Sequence, residues 1–379
     1  MSLKIALVAG EASGDQLGAS LIQAIRQRHP NTEFAGVAGP AMQAAGCHAW
    51  HDSEELAVMG LFEVVRHLPR LLRLRRVLAR RIAGFEPDVF VGIDAPDFNL
   101  GLEIKLKRHG IKTVHYVSPT VWAWRQGRVK KIAQAVIRLL ALFPFEPAFY
   151  SQHGVDAQYI GHPMADEIPL LNEQAPARSA LQLPPDGTVV ALLPGSRSAE
   201  ISRLAPLMLA TASRLSNNNS DLRFVAALAN ARGRQLFEAC LAGFPDLSVQ
   251  VFEGQARQAI TASDLTLVAS GTATLETLLI NRPMVVCYRV AAASFWLGRV
   301  FRLIKTEFIA LPNILAGKQL VPEFLQAKAN VDTLTTAVQE LLNNDQARAT
   351  LTLEFEAIHR QLACDASQQA ASAIMDLAE

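Results

Sequence analysis

The chain has 379 residues, half of them hydrophobic and 19% charged, with a net charge of +1. That length suits two α/β domains with sizeable cores, and the composition excludes global disorder. The balanced charge gives no overall bias toward nucleic acid, so no nucleic-acid partner is expected and any basic surface must be local.

Four scattered cysteines, Cys47, Cys240, Cys287 and Cys364, form no CxxC pair and read as inert buried thiols in a reducing compartment. The N-terminus enters a strand-like run at once, without a signal-peptide pattern, and no apolar run suits a bilayer span. A cytoplasmic protein is expected.

Ile5 to Ala9 reads as a first parallel strand, followed by the turn Gly10-Glu11-Ala12-Ser13-Gly14-Asp15 and a helix from about Gln16 to Arg28. A strand, a Gly-rich turn and a helix make a Rossmann-type opening that can hold an anion or a sugar. The spacing is not GxGxxG and no P-loop lysine follows, so a dinucleotide fingerprint is absent. A tight connection that needs glycine for packing is the alternative. A second strand covers Glu33 to Ala38.

Leu61 to Ile82 repeats apolar residues at helical spacing, with Arg66, Arg70, Arg73, Arg75, Arg76, Arg80 and Arg81 between them. No acid interrupts from Val64 to Phe85. One-signed charge on an amphipathic helix predicts a bilayer-surface element, apolar face in the acyl boundary and arginines on lipid phosphates. The alternative is a core-packed helix whose arginines face water.

The strand Asp88 to Ile93 ends in Asp94-Ala95-Pro96-Asp97-Phe98-Asn99. Chemistry gathers at the carboxyl ends of parallel strands, which makes both aspartates candidate bases; turn and N-cap chemistry uses the same residue types. After a strand over Lys112 to Val117, Trp122 and Trp124 suit a sugar or acyl wall, or a core anchor. Leu139 to Phe143 is a further strand.

Glu167 to Gly187 is rich in proline and poor in periodic apolar positions and reads as an inter-domain connection. Beyond it, Val189 to Leu193 is a strand whose turn, Pro194-Gly195-Ser196-Arg197, offers a close backbone, a hydroxyl and a cation to a diphosphate. Arg203 is a candidate second cation. Further strands cover Arg223 to Leu228, Ser248 to Phe252, Asp264 to Val268 and Pro283 to Tyr288. The strand ending at Val268 leads into Ser270-Gly271-Thr272-Ala273-Thr274-Leu275-Glu276. Here a helix start with small residues and the hydroxyls of Ser270, Thr272 and Thr274 suits a phosphate, and Glu276, about one turn in, suits the ribose diol beside it. An ordinary capped helix start uses the same types. Asn313 lies on a polar island that reaches a ligand, and the tail from Val331 is helical in pattern.

Two α/β halves with phosphate-type turns in the second, and no DxD pair, suggest the GT-B architecture: two Rossmann-like parallel-sheet domains facing each other across a cleft. Gly10–Asp15, Gly92–Asn99, Ser118–Trp124, Pro194–Arg197, Ser270–Glu276 and Leu311–Asn313, in this order, closely resemble the lipid-A-disaccharide synthases over essentially the whole chain. The resemblance implies an inverting transfer from UDP-2,3-diacylglucosamine to 2,3-diacylglucosamine 1-phosphate (lipid X), at the cytoplasmic face of the inner membrane, which segment 61–82 would contact. It implies Asp97 as the base, with Asp94 as its understudy. Ser196, Arg197, Arg203 and the Ser270, Gly271, Thr272 and Thr274 turn would bind the diphosphate, and Glu276 the ribose. Ser13, Gly14, Asp15, Asn99 and Asn313 would complete the substrate site. No metal and no cofactor are expected.

The expected domains are 1–166 (acceptor side), a linker over 167–187, 188–345 (UDP-sugar side), and a helical tail over 346–379. The tail packs back on the first domain or is exchanged within a homodimer. Alternatives are another GT-B UDP-sugar enzyme, such as an epimerase or a lipid-acceptor glycosyltransferase, and a non-catalytic nucleotide-sugar sensor.

Overall fold

The computed structural model describes residues 2–56, 61–122, 126–290 and 307–378, with the side chains of 61–68 excepted. The chain forms two compact units, residues 1–166 with 361–379, and residues 167–360.

In the first unit the strands are β1 (Lys4–Ala9), β2 (Glu33–Ala38), β3 (His48–Asp52), β4 (Val89–Ile93), β5 (Lys112–Tyr116), β6 (Arg138–Ala141) and β7 (Ala157–Tyr159). They pair in the order β3-β2-β1-β4-β5-β6-β7, all parallel. The second unit holds β8 (Val189–Leu193), β9 (Arg223–Leu228), β10 (Val249–Glu253), β11 (Leu265–Ala269), β12 (Met284–Tyr288) and β13 (Glu323–Leu325). These pair in the order β10-β9-β8-β11-β12-β13, again all parallel. Helices cover both faces of a parallel sheet, so its central strands are apolar on both sides and read as continuous runs. β1, β4, β8 and β11 do so. The expected α/β class with two parallel sheets is borne out. The short edge strands β3, β7 and β13 went unpredicted, because each is only half-buried and carries no apolar run.

On one face of the first sheet, Leu7, Ile22 and Val91 pack with Ala370 and Ile374 of the last helix, Ala366–Ala378. That helix belongs to the first unit. The Asp166 carboxylate accepts from the amides of Asp365 (2.9 Å) and Ala366 (2.7 Å) at its start. On the other face, Leu74, Leu78 and Ile82 of the helix Leu61–Phe85 bury against Val8, Phe90 and Leu102. The arginine-rich helix is therefore core-packed over its second half. Its apolar stripe at i, i+4, i+8 faces the sheet rather than an acyl phase, which corrects the expectation for these residues. Arg70, Arg73, Arg76, Arg80 and Arg81 are exposed, with Leu72 and Val77 among them. The side chains of Leu61 to Leu68, Arg66 included, lie outside the described residues.

Residues 167–187 are not a free connection but part of the second unit. Arg178, on the helix Gln174–Ala180, is buried and donates to the carbonyls of Ala262 (3.0 Å) and Pro185 (2.7 Å) and to the Asp264 carboxylate (2.8 Å). Asp264 also accepts from the Val189 amide at 2.7 Å, so this one pair ties the segment to the starts of β8 and β11. Removing one member of a buried pair leaves the other charge uncompensated. Arg178→Ala should destabilise the second unit by about 3 kcal/mol in a denaturant melt.

The loops after β5 and β6 share a polar core. Trp122 Nε1 and the Phe143 amide donate to the two oxygens of Glu146, each at 3.0 Å. Trp122 also meets Phe145 edge-on at 4.8 Å, so it is a core anchor and not an open wall; Trp124 lies outside the described residues. Burial pushes the Glu146 carboxyl up to about 7, against the opposing pull of its hydrogen bonds. The folded state then holds this proton where the unfolded chain has released it. The resulting stability is full below the ordinary carboxylate range and is lost as pH rises to about 7. Melting between pH 4.5 and 7.5 should show a decline of up to about 3 kcal/mol from this group, and Glu146→Gln should flatten it.

Candidate functional site

Strand order reverses at β1/β4 and at β8/β11. Crossovers leave to opposite sides at such a point, and the crevice beyond the carboxyl ends is where a parallel sheet binds ligands.

In the second unit this crevice is a cavity of about 450 Å³. Gly195, Ser196 and Arg197 line it from the turn after β8, and Ser270 to Ala273 from the turn after β11, with Tyr288, Ala227 and Ala256 as walls. Gly195 is required by the turn: its φ is +104°, and a Cβ there would lie 2.7 Å from Glu200 Oε2. Glu200 sits in the first turn of the helix Ser198–Asn218 and accepts from the Arg197 amide at 3.3 Å and its guanidinium at 3.0 Å. It thereby aims an arginine whose side chain is 81% exposed. Burial and then the Glu200 charge raise the Tyr288 phenol, while the charges of Arg197 and Arg203 act to lower it. Arg197 lines the cavity, whereas Arg203, exposed on the helix Ser198–Asn218, is not among the residues that line it. The helix Thr272–Leu279 starts here with no side-chain cap, and its first bonded amide is that of Thr274, which donates to Gly271 O at 3.0 Å. Ser270 Oγ donates to Ile309 O at 3.3 Å. Glu276 faces partly outward, with Arg257 Nε 3.3 Å from its carboxylate and the other end of Arg257 at 3.8 Å from Glu167.

In the first unit the turns after β1 and β4 touch: a Cβ on Gly10 would lie 2.6 Å from that of Ala95. Asp94 and Ala95 both adopt left-handed backbone, with φ of 50° and 43°. Such residues cost on the order of 1–3 kcal/mol each and persist only where surroundings hold them. Asn99 does so, its amide donating to the carbonyls of Asp94 (2.8 Å), Val8 (3.2 Å) and Ile93 (3.3 Å). Pro96 then opens the helix Pro96–Arg108, which presents Asp97 with 84% of its side chain exposed. Arg128 pairs with the Asp97 carboxylate, and Arg75 donates to the Asp97 carbonyl at 2.9 Å. Ser13 is exposed at the facing helix start, with Gly14 buried beneath it.

Four of the expected ligand residues hydrogen-bond to backbone. The Asp15 carboxylate accepts from the amides of Gly39 (2.9 Å), Ala41 (2.8 Å) and Met42 (3.0 Å), capping the helix Pro40–Ala44. Asn99 is fully buried in the role just given. The Thr274 hydroxyl donates to Gly271 O at 2.7 Å. Asn313 is fully buried, donating to Val321 O (3.0 Å) and Glu323 (3.1 Å) and accepting from the amides of Leu320 (2.7 Å) and Val321 (2.8 Å). Each holds backbone through these bonds; of their polar atoms Asn99 Oδ1 alone is buried without a partner among the described residues. Glu200, Tyr288, Arg257 and Arg128 went unnoticed in the sequence. Only Glu200 had a local signal, an acid three residues into a helix.

A family model described as lipid-A-disaccharide synthetase matches residues 5–374. Lipid-A-disaccharide synthases of Escherichia fergusonii and Escherichia coli O1:K1 are each 51% identical over 378 residues, covering 100% of this chain and 98% of the relative. Among solved structures, a UDP-GlcNAc 2-epimerase from Neisseria meningitidis bound to UDP-GlcNAc superposes with a TM-score of 0.67 at 12% identity, over 99% of this chain and 100% of that one. The glycotransferase of kitacinnamycin gives 0.66 at 15% identity, over 99% of each chain. These distant likenesses establish the GT-B fold, which epimerases and transferases share. Identity at 51% along the full length is more discriminating, and on it the chain belongs to the lipid-A-disaccharide synthetase family of glycosyltransferases.

Proposed function

We propose that the protein transfers 2,3-diacylglucosamine from UDP-2,3-diacylglucosamine to the 6-hydroxyl of 2,3-diacylglucosamine 1-phosphate (lipid X), with inversion, releasing UDP. The observation that carries this reading is the cavity at the β8/β11 reversal, where Arg197, Ser196 and a helix start converge. Backbone amides and a guanidinium suit a diphosphate and stabilise the charge that grows on it as it leaves. Glu276 takes the ribose diol, steadied by Arg257. At the reacting centre the acceptor oxygen bonds to the anomeric carbon as the bond to the diphosphate breaks; its proton passes to Asp97, and the electron pair leaves with UDP. Asp97, exposed in the first turn of the helix that follows the strained turn at the β1/β4 reversal, is the more accessible of the two aspartates.

Both substrates carry acyl chains, so the enzyme works at a lipid surface. No helix among the described residues is long and apolar enough to cross a membrane. Exposed Arg70, Arg73, Arg76 and Arg80, interspersed with Leu72 and Val77, supply a basic face with apolar contacts for anionic headgroups on the cytoplasmic side of the inner membrane.

With labelled donor and lipid X in detergent, the disaccharide 1-phosphate should form at the same rate with or without EDTA; UDP released without disaccharide would refute the reaction. Asp97→Asn should lower kcat by about 10²–10⁴ while UDP affinity, read by calorimetry, stays put. Arg197→Ala should weaken UDP binding itself by about tenfold or more. Replacing Arg73, Arg76 and Arg80 together should abolish co-sedimentation with anionic vesicles and spare turnover in detergent.

A further inference from the structure

The charges around Asp97 do not balance. Arg128 pairs with its carboxylate and Arg75 with its backbone carbonyl. Lys131, one turn beyond Arg128, is half-buried and makes no hydrogen bond or ion pair among the described residues. Burial and then the charges of Arg128 and Arg75 depress its ammonium, so the three cations share one field. The acids that face them are Asp97 and Glu103. Glu103 is fully buried and engaged by His115 Nδ1 at 2.7 Å, which leaves Asp97 as the accessible counter-charge.

Arg75 is the fixed member. Its guanidinium lies over the Phe98 ring at 5.0 Å, and its Nε is buried without a hydrogen-bond partner. Arg128 and Lys131, three residues apart, are both partly exposed, and Arg128 is the one that contacts the carboxylate. Like charges held this close raise the energy of the empty site and are relieved by an incoming dianion. Planar guanidinium groups favour phosphate, and a lysine adds a point charge.

We propose that Arg128 and Lys131, backed by Arg75, form a phosphate-monoester subsite beside Asp97 that holds the acceptor's anomeric phosphate. The proposal rests on the reaction given above, in which that phosphate and the attacking hydroxyl belong to one sugar ring. It also gives the Arg128–Asp97 pair a role. When the phosphate takes Arg128, the carboxylate is released to accept the hydroxyl proton, so the phosphorylated acceptor favours the free base.

The test compares the acceptor with its dephosphorylated counterpart, 2,3-diacylglucosamine, in a neutral detergent. Lys131→Met keeps the stem and leaves the Arg128–Asp97 pair intact; Arg128→Met removes the second cation. On the phosphorylated acceptor each variant should lose about tenfold or more in kcat/KM. On the dephosphorylated one Lys131→Met should lose less than about twofold, while Arg128→Met, which unmasks Asp97, should lose nothing or gain. Equal losses on both acceptors would overturn the subsite. Glucosamine 1-phosphate should inhibit wild type and lose about tenfold in potency against Lys131→Met; unchanged inhibition would count against the proposal. Loss of binding to phosphatidylglycerol vesicles by the variants, with acceptor preference intact, would assign the cations to lipid headgroups and overturn it as well. Asp97→Asn serves as the control for the base, losing kcat on both acceptors. Absence of disaccharide from wild type with either acceptor would overturn the reaction itself, and the subsite with it.

Discussion

Each sheet is built from parallel strands, and in each the chain reverses its direction of travel across the sheet once, between β1 and β4 and between β8 and β11. Helices leave to opposite faces at those two places, which opens a crevice at the strand ends. Every residue with a chemical role in the proposed reaction depends on that opening. Arg197 and Thr272 flank one reversal, and Ser13 and Asp97 flank the other. A sheet of the same strands wound in one direction would have closed both gaps with helices.

Openings of this kind need rigid rims, because catalytic and binding groups tolerate little misplacement. The rims are held by polar side chains turned inward. Asp15 fixes the start of Pro40–Ala44, Asn99 fixes the left-handed turn at Asp94 and Ala95, and Asn313 and Glu323 fix the loop from Ile309 to Val321. Glu200 does the same for Arg197. The motif residues therefore divide into two sets. One set binds backbone and is buried, while the other, Ser13, Asp97 and Arg197 among them, is exposed at the strand ends. Changing a member of the first set should harm the site without touching a substrate.

Charge is distributed on the same plan. The net charge is close to zero, yet the basic residues concentrate where phosphate is expected: Arg197 at one cavity, Arg75 and Arg128 on Asp97 with Lys131 in the same field, and the exposed arginines of Leu61–Phe85. Cations that outnumber the acids around them store electrostatic free energy that binding an anion releases. That common device serves a diphosphate, a phosphate monoester and a lipid headgroup alike.

The sequence by itself determined the parallel α/β class, the central strands and the turns that bear the site, since strands buried on both faces leave continuous apolar runs and strand-to-helix turns need glycine and hydroxyl residues locally. It also determined the family, through motifs spread along the whole chain. Edge strands such as β3 and β13 left no such trace, being half-exposed. Which polar residues face a ligand and which face the backbone was decided by tertiary structure alone. Asn313 and Arg197 look equally available in sequence, but one is enclosed by amides from a loop several residues away and the other stands in solvent. The Arg128–Asp97 pair joins residues 31 positions apart, and the burial of Arg178 against Asp264 joins residues 86 apart. A local pattern cannot encode such a pairing, because it exists only once the sheet has brought distant strand ends together.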